Sequence, residues 1–410
     1  MKTFKINKEK SSDRIKQLLK GSLIIVSAFV VGLLCGAIGG SFARSISFVT
    51  ELRNAHPWLI YLLPFGGLVS VGLYKLTKNE GIGTDRALES AQGSKKVPLL
   101  LIPVIFIASV ITHLFGGSAG KEGAALQLGS GAAEIISKGV RADRKMRSVL
   151  TICGMAALFS AVFGTPVGAC VFALEVAVIG RINAVAVFPA FVSSITAHFI
   201  SLLIGTHPER FHIESVPEFG LTSLIKTFCI GVIVSLTAYC FCHLLHGAEK
   251  FAERFFKNSF IRIFVGGCII IVLTLIFGTD YNGGGIFVIE RIFEEGTVRP
   301  EAFLLKIIFT VITVSAGYKG GEIVPSFFIG STLGAAISFF FGLPIDFGAA
   351  VGMISFFGGV TNCPIASAVL AVELFGTDGF VLFAAAAFSS RVFSGKISLY
   401  HKQKAKELKI

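Results

Sequence analysis

Apolar stretches of about 20 residues recur along the whole chain, and no other feature limits its possible folds so strongly. A helix needs roughly 20 apolar residues to cross about 30 Å of hydrocarbon. The mean hydropathy of +0.77 and the charged fraction of 15% exclude a soluble protein with an ordinary surface. The sequence therefore predicts an all-α polytopic membrane protein, with candidate spans at 21–48, 57–76, 97–115, 148–178, 184–205, 221–245, 263–277, 301–315, 325–342, 347–375 and 379–394.

The net charge of +12 comes mainly from two basic tails. Residues 1–20 carry seven Lys and Arg against two acidic residues, and residues 396–410 carry five Lys against one Glu. Basic residues that flank membrane spans favour the cytoplasmic side. We therefore expect a multi-pass protein of the cell membrane with both termini in the cytoplasm. The charge reflects topology, so no nucleic-acid partner is expected.

The chain contains an internal duplication. Residues 154–176 and 352–374 align without gaps and share eight of 23 positions. The motif "GKEGAALQLGS" at 120–130 likewise resembles "GGEIVPSFFIGS" at 320–331. These matches predict two membrane repeats, 21–205 and 221–395, joined by a polar loop at 206–220. Paired repeats that enclose a mid-membrane site are typical of transporters, where they are often inverted.

Glycine and proline break the apolar segments at corresponding places in the two halves, at "GIG", "GGSAGKEG" and "GTP" in the first and at "GGG", "KGGEIVP" and "NCP" in the second. Broken helices occur at membrane depth only where they line a cavity or are buried in protein. Helix starts near Gly120, Thr165, Gly321 and Cys363 would offer unpaired N–H groups and positive dipole ends. The breaks thus predict an anion site, although each one alone is also typical of close helix packing.

Two glutamates lie beside these breaks. Ionised Glu122 could occupy an anion's place and leave it on protonation, which would make it a proton-sensitive gate; the alternative is a simple ion pair with Lys121. Glu322, at the matching break, is a second candidate for proton handling or a helix cap. Glu175 and Glu373 end matching helices and are predicted to be structural.

An enzyme is the rival interpretation. Residues 116–120 satisfy the Gly-x-Ser-x-Gly pattern of a nucleophile elbow, and His113 is close in sequence. That elbow follows a strand, whereas a membrane helix is predicted here. We therefore expect a transporter or channel rather than a membrane serine hydrolase. The eight histidines show no ligand spacing, so neither a metal site nor a cofactor is predicted.

Four motifs in this order and spacing, on a duplicated membrane chain, resemble the CLC family of chloride channels and proton-coupled anion transporters along residues 25–400. "GIGTD" is similar to the family's Gly-Ser-Gly-Ile-Pro loop, "GKEGA" to Gly-Arg-Glu-Gly-Pro and "GGEIVP" to Gly-Gly-x-Phe-x-Pro. "GKISLY" resembles the segment that carries the central-site tyrosine. The resemblance implies a CLC-type fold of two related, inverted repeats around a central anion site, and a homodimer with one pathway in each subunit.

The resemblance also implies roles for single residues. Glu122 would be the external gating glutamate, and the Tyr400 hydroxyl would donate to the central anion. An alternative for Tyr400 is a tyrosine at the membrane boundary. Backbone N–H groups would serve the anion at Glu322 and Ile323 in the central site, and at Lys121, Gly123 and Val324 in the outer site.

Departures from the family pattern select a branch. The serine that donates to the central anion is replaced by Ile82, and the internal proton-transfer glutamate by Val176. These changes, together with the glutamate of "GGE", resemble the fluoride/proton antiporter branch, although the threonine expected near that glutamate is Val324. We therefore expect proton-coupled export of fluoride, with a chloride/proton antiporter or a passive chloride channel as alternatives. The expected partners are fluoride or chloride, protons and the lipid bilayer.

Overall fold

The computed structural model describes residues 2–395 and 397–405, so Lys396 and the end of the predicted C-terminal tail, residues 406–410, lie outside the described residues. The first half contains α1 (Lys2–Ala55), a 3₁₀ helix (Pro57–Leu62), α2 (Leu63–Leu76), α3 (Thr84–Ala91), α4 (Leu101–Leu114), α5 (Glu122–Gly139), α6 (Arg144–Phe163), α7 (Pro166–Val176) and α8 (Ala184–Ile204).

The second half follows a similar order of helices. It contains α9 (Leu221–Phe255), α10 (Ser259–Phe277), a short 3₁₀ helix (Thr279–Tyr281), α11 (Ile286–Glu295), α12 (Ala302–Ala316), α13 (Ile323–Phe341), α14 (Ile345–Thr361), α15 (Pro364–Phe375) and α16 (Phe380–Phe393). Two short strands, β1 (Val178–Ile179) and β2 (Lys404–Ala405), pair in parallel and tie the end of the chain to the first half.

The helix pairings of the first half recur in the second. Helix α6 packs against α1, α5 and α8, and α14 packs in the same way against α9, α13 and α16. Helices α2 and α4 are neighbours, as are α10 and α12, and α7 packs against α15 across the two halves. Within residues 2–395 and 397–405, seven helices are long and apolar enough to cross a membrane. The prediction of an all-α polytopic fold with two related halves is confirmed.

The ends of the long helices form two opposite faces of the molecule. The terminal face carries Lys20, bound to Asp143 at 2.8 Å, and the β1–β2 pair. The inter-repeat face carries residues 204–213; there Arg44 donates to the Ile204 carbonyl at 2.9 Å. Helix α1 runs from the terminal to the inter-repeat face, and α9 starts on the inter-repeat face. The first helices of the two halves therefore run in opposite directions between these faces.

Two of the predicted spans are each divided into two helices. The apolar stretch 148–178 becomes α6 and α7, because Gly164 ends α6 with a φ of 78° and Pro166 begins the next helix. The stretch 347–375 is divided in the same way at Asn362 and Pro364. Helix α5 was missed as a span, because its polar and small residues lower its hydropathy although protein surrounds nearly all of it.

Glycine contacts explain part of the internal repeat. A β-carbon on Gly129 of α5 would overlap the carbonyl of Gly154 on α6, and a β-carbon on Gly330 of α13 would overlap that of Gly352 on α14. Gly154 and Gly352 are aligned in the duplication. Small residues at such contacts allow the backbones of membrane helices to approach closely. The internal repeat therefore preserves the glycine contacts that let α5 pack closely on α6 and α13 on α14.

Candidate functional site

Two helix starts meet through their backbones at the centre of the molecule. Gly120, just before α5, and Gly321, just before α13, exchange N–H···O hydrogen bonds of 2.6 and 2.7 Å. A β-carbon on Gly321 would overlap the backbone nitrogen of Gly123. The N-termini of α5 and α13 are thereby brought together. Both ends carry unpaired N–H groups and partial positive charge, so the junction favours an anion.

Glu122 is fully buried beside this junction. Its side chain folds back over Gly120, where a β-carbon would overlap the carboxylate and lie 3.1 Å from Val324 and Pro325. Neither carboxylate oxygen has a hydrogen-bond partner among the described residues. A buried carboxylate without partners is costly. It therefore depends on the helix dipoles, and an anion can replace it there.

Lys121 does not neutralise Glu122 through a direct pair. Its ammonium group lies 3.3 Å from the Glu209 carboxylate, in the inter-repeat loop, and both side chains are mostly buried. The alternative of a Lys121–Glu122 ion pair is therefore wrong. Lys121 turns toward the inter-repeat face, while the next side chain turns inward. The two adjacent charged residues of the motif therefore have different surroundings: Lys121 binds the inter-repeat loop, and Glu122 lies at the junction of α5 and α13.

A cavity of about 330 Å³ leads from the inter-repeat face to this junction. Gly120, Lys121 and Val324 form part of its wall, and Gly284 and Arg53 contribute from other segments. Val324 is buried, and a β-carbon on Gly284 would lie 2.9 Å from its side chain. Glu122 does not line the cavity itself; Gly120 and Val324, which contact its side chain, form the wall between them.

Glu322 faces a different environment from Glu122. It precedes α13 and is only partly buried, whereas Ile323, the next residue, is fully buried. The Ser326 hydroxyl and backbone nitrogen donate to the backbone carbonyl of Glu322 at 2.6 and 2.9 Å. The side-chain carboxylate of Glu322 takes no part in these two hydrogen bonds. Its charged neighbours are Glu249, Asp85 and Lys319. Of these, Asp85 contacts the segment that follows Tyr400, near the terminal face.

Tyr400 is buried, and its hydroxyl has no hydrogen-bond partner among the described residues. It is close enough to the carboxylates of Glu322 and Glu122 for their charges to act on it. Around Tyr400, the backbone is held by Leu399 N–H donating to Val360 at 2.8 Å and by Lys402 N–H donating to Asp85 at 3.0 Å. A buried hydroxyl held in this way is available as a donor to a bound ion.

The loop that carries Ile82 reaches the same region from the first half. Ile82 is half-buried and precedes α3, whose first residue, Thr84, donates to the Gly123 carbonyl at 3.3 Å. Gln127 donates to the Thr84 hydroxyl at 3.2 Å. The loop is therefore fastened to the first turn of α5. The candidate residues therefore lie at or just before the starts of α3, α5 and α13, and in the segment 397–403.

Two of the four proposed helix starts are occupied by carboxylates. Glu373 accepts from Val167 and Gly168 N–H groups at 2.9 and 2.6 Å, and Glu175 accepts from Ile365 and Ala366 at 3.3 and 2.8 Å. The prediction that all four starts serve an anion is therefore wrong for α7 and α15. Each half instead caps a helix of the other half, since a helix N-terminus binds a carboxylate as readily as a free anion.

The hydrolase interpretation fails on geometry. The Ser118 hydroxyl is fully buried and lies 3.1 Å from the hydroxyl of Thr310. The His113 ring bonds the Ser109 carbonyl at 2.8 Å. No pairing of Ser118 with a base exists in the described residues, so the pattern at 116–120 is part of a helix break.

Sequence reasoning missed Lys306, a fully buried lysine in the second turn of α12. Its ammonium group donates to the carbonyls of Tyr281 and Gly283 at 3.0 and 2.7 Å and lies 5.1 Å from the centre of the Phe328 ring. It therefore supports the "GGG" turn at the wall of the cavity. A single lysine within the apolar segment "AFLLKIIF" was the available signal, since such charges are rarely accidental.

A family model described as voltage gated chloride channel matches residues 65–395 of the chain. A chloride/fluoride channel protein from Pseudomonas syringae pv. tomato is 35% identical over 386 residues, which cover 92% of this chain and 85% of the relative. The crystal structure of a CLC-type fluoride/proton antiporter is 32% identical, with a TM-score of 0.90 over 94% of this chain and 98% of the other.

The same fold is found at greater distance. The structure of a slow cyanobacterial Cl⁻/H⁺ antiporter aligns with a TM-score of 0.78 at 19% identity, over 91% of this chain and 94% of the other. At that identity the likeness concerns the fold alone. The overall fold is thus shared with a fluoride/proton antiporter and with a Cl⁻/H⁺ antiporter.

Proposed function

The chain belongs to the voltage-gated chloride channel (CLC) family, and on this premise we propose that it is a multi-pass membrane antiporter that exports fluoride in exchange for protons. The family consists of anion transporters and channels rather than enzymes. The choice of fluoride is supported by the two relatives above 30% identity, whose names are chloride/fluoride channel and fluoride/proton antiporter. The proton coupling is argued from the chain's own residues.

The observation that carries the proposal is the fully buried, unpartnered carboxylate of Glu122 at the junction of α5 and α13. While ionised, this group occupies the place that the helix dipoles favour for an anion. An anion that arrives at the junction repels it, and protonation removes its charge. Entry of an anion and uptake of a proton by Glu122 therefore favour one another, which is the elementary requirement for exchange.

A second proton-handling group at Glu322 completes the proposal. Glu122 is adjacent to the cavity on the inter-repeat face, whereas Glu322 has Asp85 and Glu249 as neighbours and is partly exposed. The two carboxylates therefore have separate access. Between them, Tyr400 supplies the hydroxyl, and backbone N–H groups at Lys121, Gly123, Glu322, Ile323 and Val324 supply the remaining donors to the ion.

An apolar side chain at position 82 supports selection against chloride. Ile82 offers no hydroxyl where the family pattern has a serine that donates to the central anion. The ion would then be bound by backbone donors, the Tyr400 hydroxyl and protonated carboxyl groups. Hydrogen bonds to ions are short and strong, and a compact anion with concentrated charge gains most from them.

A passive channel is the second candidate, favoured by one observation. Val176, at the position of the internal proton-transfer glutamate, is fully buried and has no proton to transfer. The antiporter interpretation therefore requires that Glu322 transfer protons in place of the glutamate that Val176 replaces. A channel requires no such transfer and would move anions without protons.

Liposomes that contain the purified protein separate these functions. We expect fluoride efflux, read with a fluoride electrode, to be accompanied by proton uptake and to drive protons against their gradient. Fluoride efflux without proton movement would identify a channel. Chloride efflux as fast as fluoride efflux would contradict the fluoride assignment, and the absence of both fluxes would contradict the transporter assignment.

The arrangement of the molecule in the membrane is part of the same proposal. We infer that residues 21–205 and 221–395 are inverted repeats joined by the loop 206–220, and that the terminal face is cytoplasmic because of the basic tails 1–20 and 396–410. The cavity beside Glu122 then opens to the outside. A homodimer with one pathway per subunit is expected from the family resemblance.

A further inference from the structure

A cluster of two histidines and a glutamate lies on the terminal face, outside the site described above. His246 and Glu249 belong to α9, and His401 directly follows Tyr400. The His401 Nε2 atom lies 3.2 Å from a Glu249 oxygen, and the rings of His246 and His401 stack with centroids 3.9 Å apart. One potential ligand atom from each of the three residues lies within 4.8 Å of the others.

We propose that His246, Glu249 and His401 form a binding site for a divalent transition-metal ion of the Zn²⁺ class, and that bound metal inhibits transport by clamping the Tyr400 segment to α9. Imidazole nitrogens and a carboxylate oxygen are ligands that Zn²⁺ prefers, and three protein ligands leave a fourth position for water. His246 and Glu249 are three residues apart on a helix and therefore share one face.

The spacing of the cluster suits a metal once the stacked rings of His246 and His401 rotate so that a nitrogen of each points to one ion. Ligand atoms around tetrahedral Zn²⁺ lie about 2.0–2.2 Å from the ion, so neighbouring ligand atoms are roughly 3.3–3.6 Å apart. The Glu249–His401 separation of 3.2 Å is close to this distance, and the remaining ligand atoms need to move inward by about an ångström or rotate. His243 lies one turn before His246 on α9 and is a further potential donor.

Solvent on the terminal face can reach the cluster. The side chains of Glu249 and His401 are 33% and 46% exposed, and His246 is half-buried. A metal ion can therefore enter without opening the membrane region. Lys250, Lys319 and Lys402 are positive groups close to the cluster, and their charges oppose the metal.

The cluster is connected to the proposed anion pathway through the chain. The His246 Nε2 atom lies 3.5 Å from the carbonyl of Leu399, and Tyr400 separates that residue from His401. In the absence of a metal, the segment is held by Asp85, Val360 and other single hydrogen bonds. Coordination at His401 would add metal–ligand bonds one residue from Tyr400. A metal bound there would hold the Tyr400 hydroxyl in one position and would slow any transport step in which that hydroxyl moves.

The sequence did not predict this site because its ligands are far apart in the chain. His401 is 152 residues from Glu249, and only folding brings them together. A simpler interpretation is that the three side chains only form a His–Glu contact that fixes the end of the chain. Metal affinity distinguishes the two interpretations, since a structural contact has no need of open coordination positions.

The binding test uses untagged, full-length protein in detergent. Equilibrium dialysis against buffered Zn²⁺, read by elemental analysis, should give one ion per subunit, and Co²⁺ should produce visible absorption bands of a coordinated ion. His401→Ala and Glu249→Gln should each weaken Zn²⁺ binding at least about tenfold. His56→Ala, which changes an exposed histidine on the inter-repeat face, is the matched control and should bind normally. Equal affinity in wild type and both ligand variants would refute the site.

The transport test addresses the clamp, which rests on the proposed function. Fluoride efflux should fall severalfold when Zn²⁺ saturates the wild type and should recover when EDTA is added. His401→Ala should transport with EDTA present and should no longer respond to Zn²⁺, whereas His56→Ala should respond like the wild type. Saturated Zn²⁺ binding without a change in flux would overturn the clamp. A protein that binds Zn²⁺ but moves no fluoride would contradict the proposed function and leave the metal site standing.

Discussion

Gly120 and Gly321 lie about 200 residues apart and exchange two backbone hydrogen bonds, of 2.6 and 2.7 Å, at the centre of the molecule. This bridge joins the loop before α5 to the loop before α13 and sets the distance between the two helix N-termini. Glu122 lies two residues after Gly120 and Glu322 directly follows Gly321, and the two glutamates face different environments. The geometry of the proposed site therefore depends on the absence of side chains at two positions.

Gly321→Ala should abolish transport because its β-carbon would overlap the backbone of Gly123. The junction would have to separate, and overpacking of this kind costs about 1–3 kcal/mol. Flux and thermal unfolding check the prediction together. Gly72→Ala in α2 is the matched control, since a β-carbon there meets nothing within 4 Å. Wild-type flux in Gly321→Ala would contradict the close contact.

Glu122→Gln should abolish proton coupling while leaving the fold intact. Glutamine has nearly the same volume and imitates the protonated carboxyl group, so the gate would no longer exchange a proton. Proton and fluoride movements in liposomes are measured together, and Glu253→Gln serves as the control because Glu253 is 69% exposed and remote from the junction. Proton movement that still follows fluoride in Glu122→Gln would show that Glu122 is not the gate.

Glu322→Ala should impair coupled exchange, because it removes the second proton-handling group while Ser326 still bonds the backbone carbonyl of residue 322. The first turn of α13 should therefore persist. Glu253→Ala is the corresponding control. If exchange in Glu322→Ala equals that of the wild type, Glu322 has no part in proton transfer.

Ile82→Ser should raise chloride flux relative to fluoride flux. A serine hydroxyl beside the start of α3 offers the ion a hydrogen bond, and such a bond to a charged group is worth about 1.5–3 kcal/mol. The expected change in the flux ratio is up to about ten- to a hundredfold. Both electrodes are used on wild type and variant. An unchanged ratio would mean that the side chain at position 82 does not contact the ion.

Glu175→Gln and Glu373→Gln should each lower thermal stability, because each carboxylate accepts two backbone N–H groups at a helix start of the other half. Loss of a cap costs about 0.5–2 kcal/mol. Fluorescence-detected melting of the two variants and of Glu253→Gln gives the comparison. Proton coupling should survive in both, since neither residue reaches the junction of α5 and α13.

The sequence alone determined the class of the protein, the duplication and the positions of the breaks. These features follow from local physics: a helix in hydrocarbon needs an apolar stretch of fixed length, and a residue with positive φ followed closely by proline, as at Gly164 and Pro166, ends one helix and begins the next. The match of Gly154 with Gly352 was visible without coordinates, although its cause, contact with Gly129 and Gly330, was not.

Only the tertiary structure decided which groups meet. Lys121 pairs with Glu209 and leaves Glu122 unpartnered, Glu373 and Glu175 occupy two helix starts that looked equally suited to an anion, and His401 reaches α9. Each of these contacts joins residues at least 80 positions apart in the chain. The local sequence shows that a charged side chain or a helix end exists, but tertiary packing determines which group it binds. A buried polar group forms its hydrogen bond with whichever donor or acceptor the fold brings close enough.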